Sequence, residues 1–221
     1  MDGVEKAEST VTTAVVDLAG EMAEHLVGVQ QVAEHLDAVV AALEVVPKGV
    51  TTRRSLPTEV REAVTVLRER RAILPLVESY HAIKRARDAM DFADQVQLAA
   101  RIAMTVPQVG EAERSRFRAV LLDEFQDTSE AQLQLLRALF VSAGDAVPVT
   151  AVGDPHQSIY GWRGASSTTL HRFRQDFVDD HGPTQVRPLS TSWRNDSAIL
   201  DVANLVAGPL TRATRVPVEP L

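Results

Sequence analysis

The sequence predicts an α/β protein: a parallel sheet covered by helices, preceded by a mostly α-helical subdomain. Between Val15 and Val46 apolar residues recur at alternating steps of three and four (Val15, Leu18, Met22, Val29, Val32, Leu36, Val39, Leu43, Val46), the period of an amphipathic helix. After Arg116 short apolar runs alternate with helical segments, the grammar of parallel strands joined by crossover helices. With 45% apolar residues in 221, the chain is long and apolar enough to bury a sizeable core.

Taken in order, the first stripe predicts one long helix, or two broken near Gly28, ended by Pro47 and Gly49. Its flanking positions lack a regular pattern of opposite charges, which favours an intramolecular helical hairpin over a coiled coil. His25 interrupts the stripe and reads as a partly exposed helix residue, since no second metal-type residue is spaced to join it. Residues 48–57, "KGVTTRRSLP", are a loop by composition. Thr58 is placed to cap "EVREAVTVLRERRAIL", and Pro75 to start or kink a further helix through "LVESYHAIKRARDAM". "DFADQVQLAARIAM" (91–104) is a third amphipathic segment, with Asp91 where a negative charge suits a helix amino end and with Pro107 and Gly110 closing it. Then follow "AVLLD", "EAQLQLLRALF", "VPVTAVGD", "TLHRFRQDF", "VRPLSTS" and "SAILDVANLVAG", read as strand, helix, strand, helix, strand, helix.

Composition narrows the function. A net charge of −7 argues against nucleic acid wrapped over the whole surface, because phosphate binding is driven by Lys and Arg displacing counterions. It leaves room for a local basic groove, and Arg53, Arg54, Arg61, Arg68, Arg70, Arg71, Lys84, Arg85 and Arg87 do concentrate in one stretch. The alternative is a solvated helix face balanced by Glu59, Glu62 and Glu69. Absence of cysteine excludes disulfides and thiolate metal sites. With an acidic, polar start and no apolar run of about 20 residues, the reading is a soluble cytoplasmic protein without a membrane partner.

Two clusters fall at carboxyl ends of expected strands, where ligands bind parallel sheets. The first is Asp123-Glu124 in "LLDEFQDTSEAQ"; the second is "GDPHQSIYGWRGA", 153–165. A magnesium ion bridging nucleotide phosphates takes hard oxygen ligands, of which one strand-end Asp is a common protein contribution. An adjacent Glu is suited to orient or deprotonate the attacking water. Gln157 offers an amide for both a phosphate and a water. Tyr160, Trp162 and Arg163 interleave with glycine on a loop, which suits stacking on unpaired bases and is a poor place to build a core.

"VLLDEFQDTSEAQ", "VGDPHQSIYGWRGA" and "LSTSWRNDSAILDVAN" resemble, in order and at suitable separations, consecutive motifs of UvrD/Rep/PcrA-type superfamily 1 DNA helicases, and "AMDFADQVQLAARIA" resembles the segment before them. The resemblance covers roughly residues 80–206. It implies an incomplete RecA-like (P-loop NTPase-type) parallel sheet, organised as a helical insertion of the first motor domain (1–88), part of that motor domain (89–190) and the start of the second, or a linker (191–221). It further implies ATP and Mg2+ as cofactors and single-stranded DNA as partner. Asp123 would be the magnesium-associated acid, Glu124 the base for water, and Gln157 the link from γ-phosphate to DNA. Tyr160, Trp162 and Arg163 would lie along the strand. Arg194 would contact the γ-phosphate, although "SWRND" departs from the family's Asn-Tyr-Arg-Ser.

A phosphate-binding loop of the form Gly-x-x-x-x-Gly-Lys-Ser/Thr is missing from these 221 residues: the lysines are Lys6, Lys48 and Lys84, and none follows a glycine. The resemblance therefore implies an internal piece of a helicase whose remainder supplies that loop and the second motor domain, and unpaired sheet edges imply marginal stability or self-association. Two readings from other classes compete: a non-hydrolysing DNA- or protein-binding module derived from a helicase, and a helical interaction protein using residues 11–46. The intact Asp123-Glu124 pair and Gln157 argue against the former, since a site released from chemistry has no physical need for them. Because an arginine finger cannot act on a nucleotide that nothing holds, the purified 221-residue polypeptide is expected to show no DNA-stimulated ATP turnover above background, which a phosphate-release assay checks.

Overall fold

A computed structural model describes residues 7–45, 57–142, 146–161, 169–178 and 184–213. The expected loop at 48–57 falls, apart from Pro57, outside them, as do Arg53, Arg54, Trp162 and Arg163. The elements are α1 (Glu8–Glu24), α2 (Val29–Glu44), α3 (Thr58–Ala86), α4 (Phe92–Thr105), α5 (Pro107–Arg116), β1 (Val120–Leu122), α6 (Glu130–Phe140), β2 (Val149–Ala151), α7 (Thr169–Asp176) and α8 (Ser197–Ala213). The fold is mostly helical with a small parallel sheet. It divides into two compact units, 1–97 and 98–221.

In the first unit, the apolar stripe breaks where Gly28 suggests. Leu26 takes the left-handed conformation (φ 56°), and the Val27 N–H reaches back to the Met22 carbonyl at 3.0 Å, a helix end usually given to glycine. Gly28 N–H then donates to Gln31 Oε1 at 2.8 Å, opening α2. The expected hairpin does not form. The axes of α1 and α2 turn through 101°, and both helices pack on α3, because its buried Ile73, Leu74 and Val77 offer the common surface for Val15, Leu18, Met22 and Leu36.

Helix α3 also departs from the sequence reading. It runs unbroken through Pro75, although proline gives no N–H to the Arg71 carbonyl. Leu74 and Val77, both fully buried, flank Pro75 on the helix. Thr58 lies inside the helix and Pro57 precedes it, without a side-chain cap. The α3 arginines balance acids on neighbouring helices: Arg68 pairs with Glu44, Arg70 with Glu21 at 3.9 Å and Arg71 with Asp37 at 3.2 Å.

The α3–α4 junction is polar and tightly bonded. Asp91 Oδ1 accepts from the Asp94 N–H at 2.9 Å, and Asp94 Oδ2 from the Asp91 N–H at 3.0 Å, a reciprocal cap for α4. Lys84 Nζ, with its side chain 13% exposed, donates to Asp91 Oδ2 at 2.8 Å and Asp94 Oδ2 at 2.6 Å and lies over the Tyr80 ring.

Helix α4 closes at Thr105, just before Pro107 as expected, and in the second unit Pro107 and Gly110 belong to a further helix, α5. Pro107 stands at its first turn, where a missing N–H costs nothing. A Cβ on Gly110 would lie 2.9 Å from the Ala138 carbonyl oxygen, so the glycine lets α5 approach α6, and Arg114 Nη1 caps the Leu139 carbonyl at 2.9 Å. Strands β1 and β2 pair in parallel, Val120 with Val149, Leu121 with Thr150 and Leu122 with Ala151. Leu122, Val149 and Ala151 pack on one side against Phe125, Leu133, Phe173 and Phe177, while Leu121 on the opposite face is 80% exposed; a parallel sheet is normally covered on both. Residues 186–192 form no strand. Among the described residues the sheet has only β1 and β2, so the segment has no ladder partner, and Pro188 lacks a donor. No single helix among the described residues is long and apolar enough to cross a membrane.

Burial opposes ionisation of Asp91, but the hydrogen bonds from Lys84 and the Asp94 main chain outweigh it and hold the carboxyl below its ordinary range. Burial likewise opposes the Lys84 charge, and its two carboxylate partners outweigh that and raise it. The Asp91 contribution is therefore present above the ordinary carboxylate pKa and lost as pH falls through the depressed value; that of Lys84 is lost only as pH rises past its raised one. Lys84→Met is expected to lower stability at neutral pH by about 1–3 kcal/mol and to shrink the acid-side slope, as read from urea midpoints at pH 7 and pH 3.

Candidate active site

Because β1 and β2 are parallel and in register, the residues that follow them emerge at one edge of the sheet. The ladder continues past the strands: the Val152 N–H donates to the Leu122 carbonyl at 2.8 Å, and the Phe125 N–H to the Val152 carbonyl at 2.9 Å. Asp123 and Glu124 sit between these two bonds. Glu124 is left-handed (φ 49°, ψ 39°), a conformation that costs a non-glycine residue about 1–3 kcal/mol and clusters at functional sites. Asp123 Oδ1 accepts from the Glu124 N–H at 2.9 Å, and both acids remain exposed.

Phe125 and Gln126 turn inward. Phe125 meets Phe173 and Phe177 edge to face, with centroids 5.2 and 6.1 Å away. The Gln126 side chain is 1% exposed: Nε2 donates to Glu124 Oε2 at 2.7 Å, and Oε1 accepts from the Asp154 N–H at 3.1 Å. Asp154 then organises the second loop, Oδ1 accepting from the His156 N–H and Oδ2 from Gln157 Nε2, both at 2.8 Å. Ser129 and Gln132 cap α6 reciprocally. Helix α7 is clamped to α6 by Arg172, which reaches Glu130 at 2.9 Å and Asp176 at 3.3 Å. Burial works against the Glu130 charge, but hydrogen bonds from Gln134 and Arg172 prevail and lower its pKa.

Of the residues expected from sequence, Asp123, Glu124 and Gln157 thus share one edge of the sheet. Tyr160 follows on the same loop, exposed. Arg194 lies exposed on the bend before α8 and, among the described residues, makes no hydrogen bond or ion pair with those three. Trp162 and Arg163 lie outside the description. Gln126 and Asp154 are the residues that sequence reasoning passed over, and Gly153, read from sequence as shaping a tight turn, also admits the Gln126 amide. A buried glutamine is visible only from the fold, but a glycine directly after an apolar strand is a usable signal of close approach.

Donor chemistry fits magnesium with a triphosphate. Among the described residues no group of three or more His, Cys, Asp or Glu converges on a metal position. Magnesium bound with phosphates needs only one or two carboxylates, a requirement that the exposed Asp123 at the strand end would meet.

Residues 18–178 match the UvrD/REP helicase N-terminal domain. The chain belongs to that family. Within this helicase family it is 36% identical over 140 residues to the ATP-dependent DNA helicase UvrD1 of Mycobacterium tuberculosis H37Rv, covering 62% of this chain and 18% of the relative. It is 40% identical over 128 residues to DNA helicase II of Escherichia coli K12 (57% and 17%), and 35% over 127 residues to the ATP-dependent DNA helicase Rep of Salmonella typhimurium LT2 (58% and 18%). The chain therefore spans less than a fifth of the length of these curated helicases.

Gly153 sets how near the two loops come. A Cβ there would stand 2.6 Å from Gln126 Oε1 and 3.2 Å from the Gln126 main-chain nitrogen. The amide cannot yield without losing its bonds to Glu124 and Asp154, so Gly153→Ala is expected to destabilise the second unit by about 1–3 kcal/mol, measured by chemical denaturation.

Proposed function

We propose that the chain forms part of the ATP-hydrolysing motor of a DNA helicase, residues 89–190 belonging to an incomplete RecA-like domain, 1–88 to its helical insertion and 191–221 to the start of the second motor domain or a linker. One observation carries this reading: parallel pairing of β1 with β2 delivers Asp123-Glu124 and Gln157 to the same edge, joined through Gln126 and Asp154. The helicase names of its relatives support the substrate.

Magnesium bound with the triphosphate supplies charge neutralisation. Asp123 holds that charge at the strand end. Glu124, exposed and oriented by Gln126, takes the proton of the attacking water. Gln157 contacts the terminal phosphate and passes its state along the loop to Tyr160, Trp162 and Arg163, which lie against single-stranded DNA. Arg194, from the bend before α8, stabilises developing charge on the transferred group.

Placed behind the phosphate-loop segment of a relative, the chain is expected to give ATP turnover stimulated by single-stranded DNA. Glu124→Gln should lower turnover by about 10²–10⁴, and Trp162→Ala should weaken oligonucleotide binding by ~1–3 kcal/mol. Unchanged turnover in Glu124→Gln would remove Glu124 from the chemistry, and unchanged binding in Trp162→Ala would remove the stacking role.

A further inference from the structure

The Gln126 amide is hydrogen-bonded at both ends. An apolar side chain of its size would fill the same space without the cost of burying a polar group. Instead Nε2 donates to Glu124 Oε2 at 2.7 Å and approaches Asp127 Oδ2 at 3.5 Å, Oε1 accepts from the Asp154 N–H, and the Gln126 carbonyl accepts from Ser158 Oγ at 3.4 Å. Since Asp154 Oδ2 accepts from Gln157 Nε2, a line of hydrogen-bonded groups runs from Glu124 through Gln126 and Asp154 to Gln157. A neutral carboxamide can donate at one end and accept at the other; a glutamate at 126 would set a like charge against Glu124, and a methionine would make neither bond. The left-handed turn at Glu124 and the absence of a Cβ on Gly153 keep both ends within reach.

We propose that Gln126 is a positioning residue that couples the Glu124 carboxylate to the main chain of the loop bearing Gln157, so that a displacement at either is transmitted to the other. Its purpose rests on the nucleotide-hydrolysis reading above; its geometry does not. In a working motor the consequence is that engagement of a phosphate by Gln157 aligns the water-directing carboxylate through one buried amide.

The test uses the 15N-labelled 221-residue chain without nucleotide, reading the Asp154 main-chain amide resonance. Glu124→Gln is expected to shift it by several line widths in the natural background and to leave it in place when Gln126 is Met. A second arm reverses the bond: Glu124→Gln combined with Gln126→Glu puts the donor at 124 and the acceptor at 126, and is expected to recover the thermal stability that Gln126→Glu alone loses. This arm carries the test if Gln126→Met does not fold. An equal Asp154 shift in both backgrounds, no shift in the natural one, or a swap no more stable than Gln126→Glu overturns the proposal. With the coupling present, failure of Glu124→Gln to change turnover overturns the hydrolysis reading alone.

Discussion

The main-chain ladder between β1 and β2 is the constraint on which the second unit depends. Three paired positions are few, yet the ladder runs on through Val152 and Phe125, past the point where the strands end. That overrun leaves Asp123 and Glu124 between two main-chain bonds. A parallel arrangement is essential: antiparallel strands would send their carboxyl ends to opposite edges and separate the acids from Gln157.

Around this ladder, local strain and close packing support one another. Glu124 adopts a left-handed backbone that nothing in its own chemistry favours, and it does so while Phe125, locked among Phe173, Phe177 and Leu133, pulls the next residue inward. Gly153 answers from the other loop by offering no side chain. The aromatic cluster therefore acts on the polar edge through Phe125, the residue next to Glu124: it sets where the turn must begin.

Much of this was legible in the sequence, and the exceptions have physical causes. The break at Gly28, the strands before Asp123 and Gly153 and the helices after them follow from periodicity and local signals. Pro75 reads as a start or a kink, and it stands inside a single helix whose buried Leu74 and Val77 flank it. Helix α5 is hidden because it is polar and begins with a proline that reads as a stop, and Gly110 within it answers to the backbone of α6. A strand at 186–192 has suitable residues but no neighbour, and pairing is not a local property. The right-angled corner of α1 and α2 depends on a third helix that periodicity cannot place. The roles proposed for Asp123, Glu124 and Gln157 follow from residue chemistry as well as motif resemblance, and that for Arg194 from resemblance alone; what the fold adds is the buried amide and carboxylate between the first three.

The arginines of α3 bear differently on nucleic acid than their number suggests. Arg68, Arg70 and Arg71 each face a carboxylate of α1 or α2, so a phosphate backbone approaching this face meets cations already partnered. Intramolecular acids here occupy the place that a polyanion would take. The pairs are exposed and individually weak, and added salt screens them along with any outside competitor. Raising ionic strength therefore does not turn these three arginines into a basic groove: the same ions that loosen the internal pairs also loosen whatever would replace them.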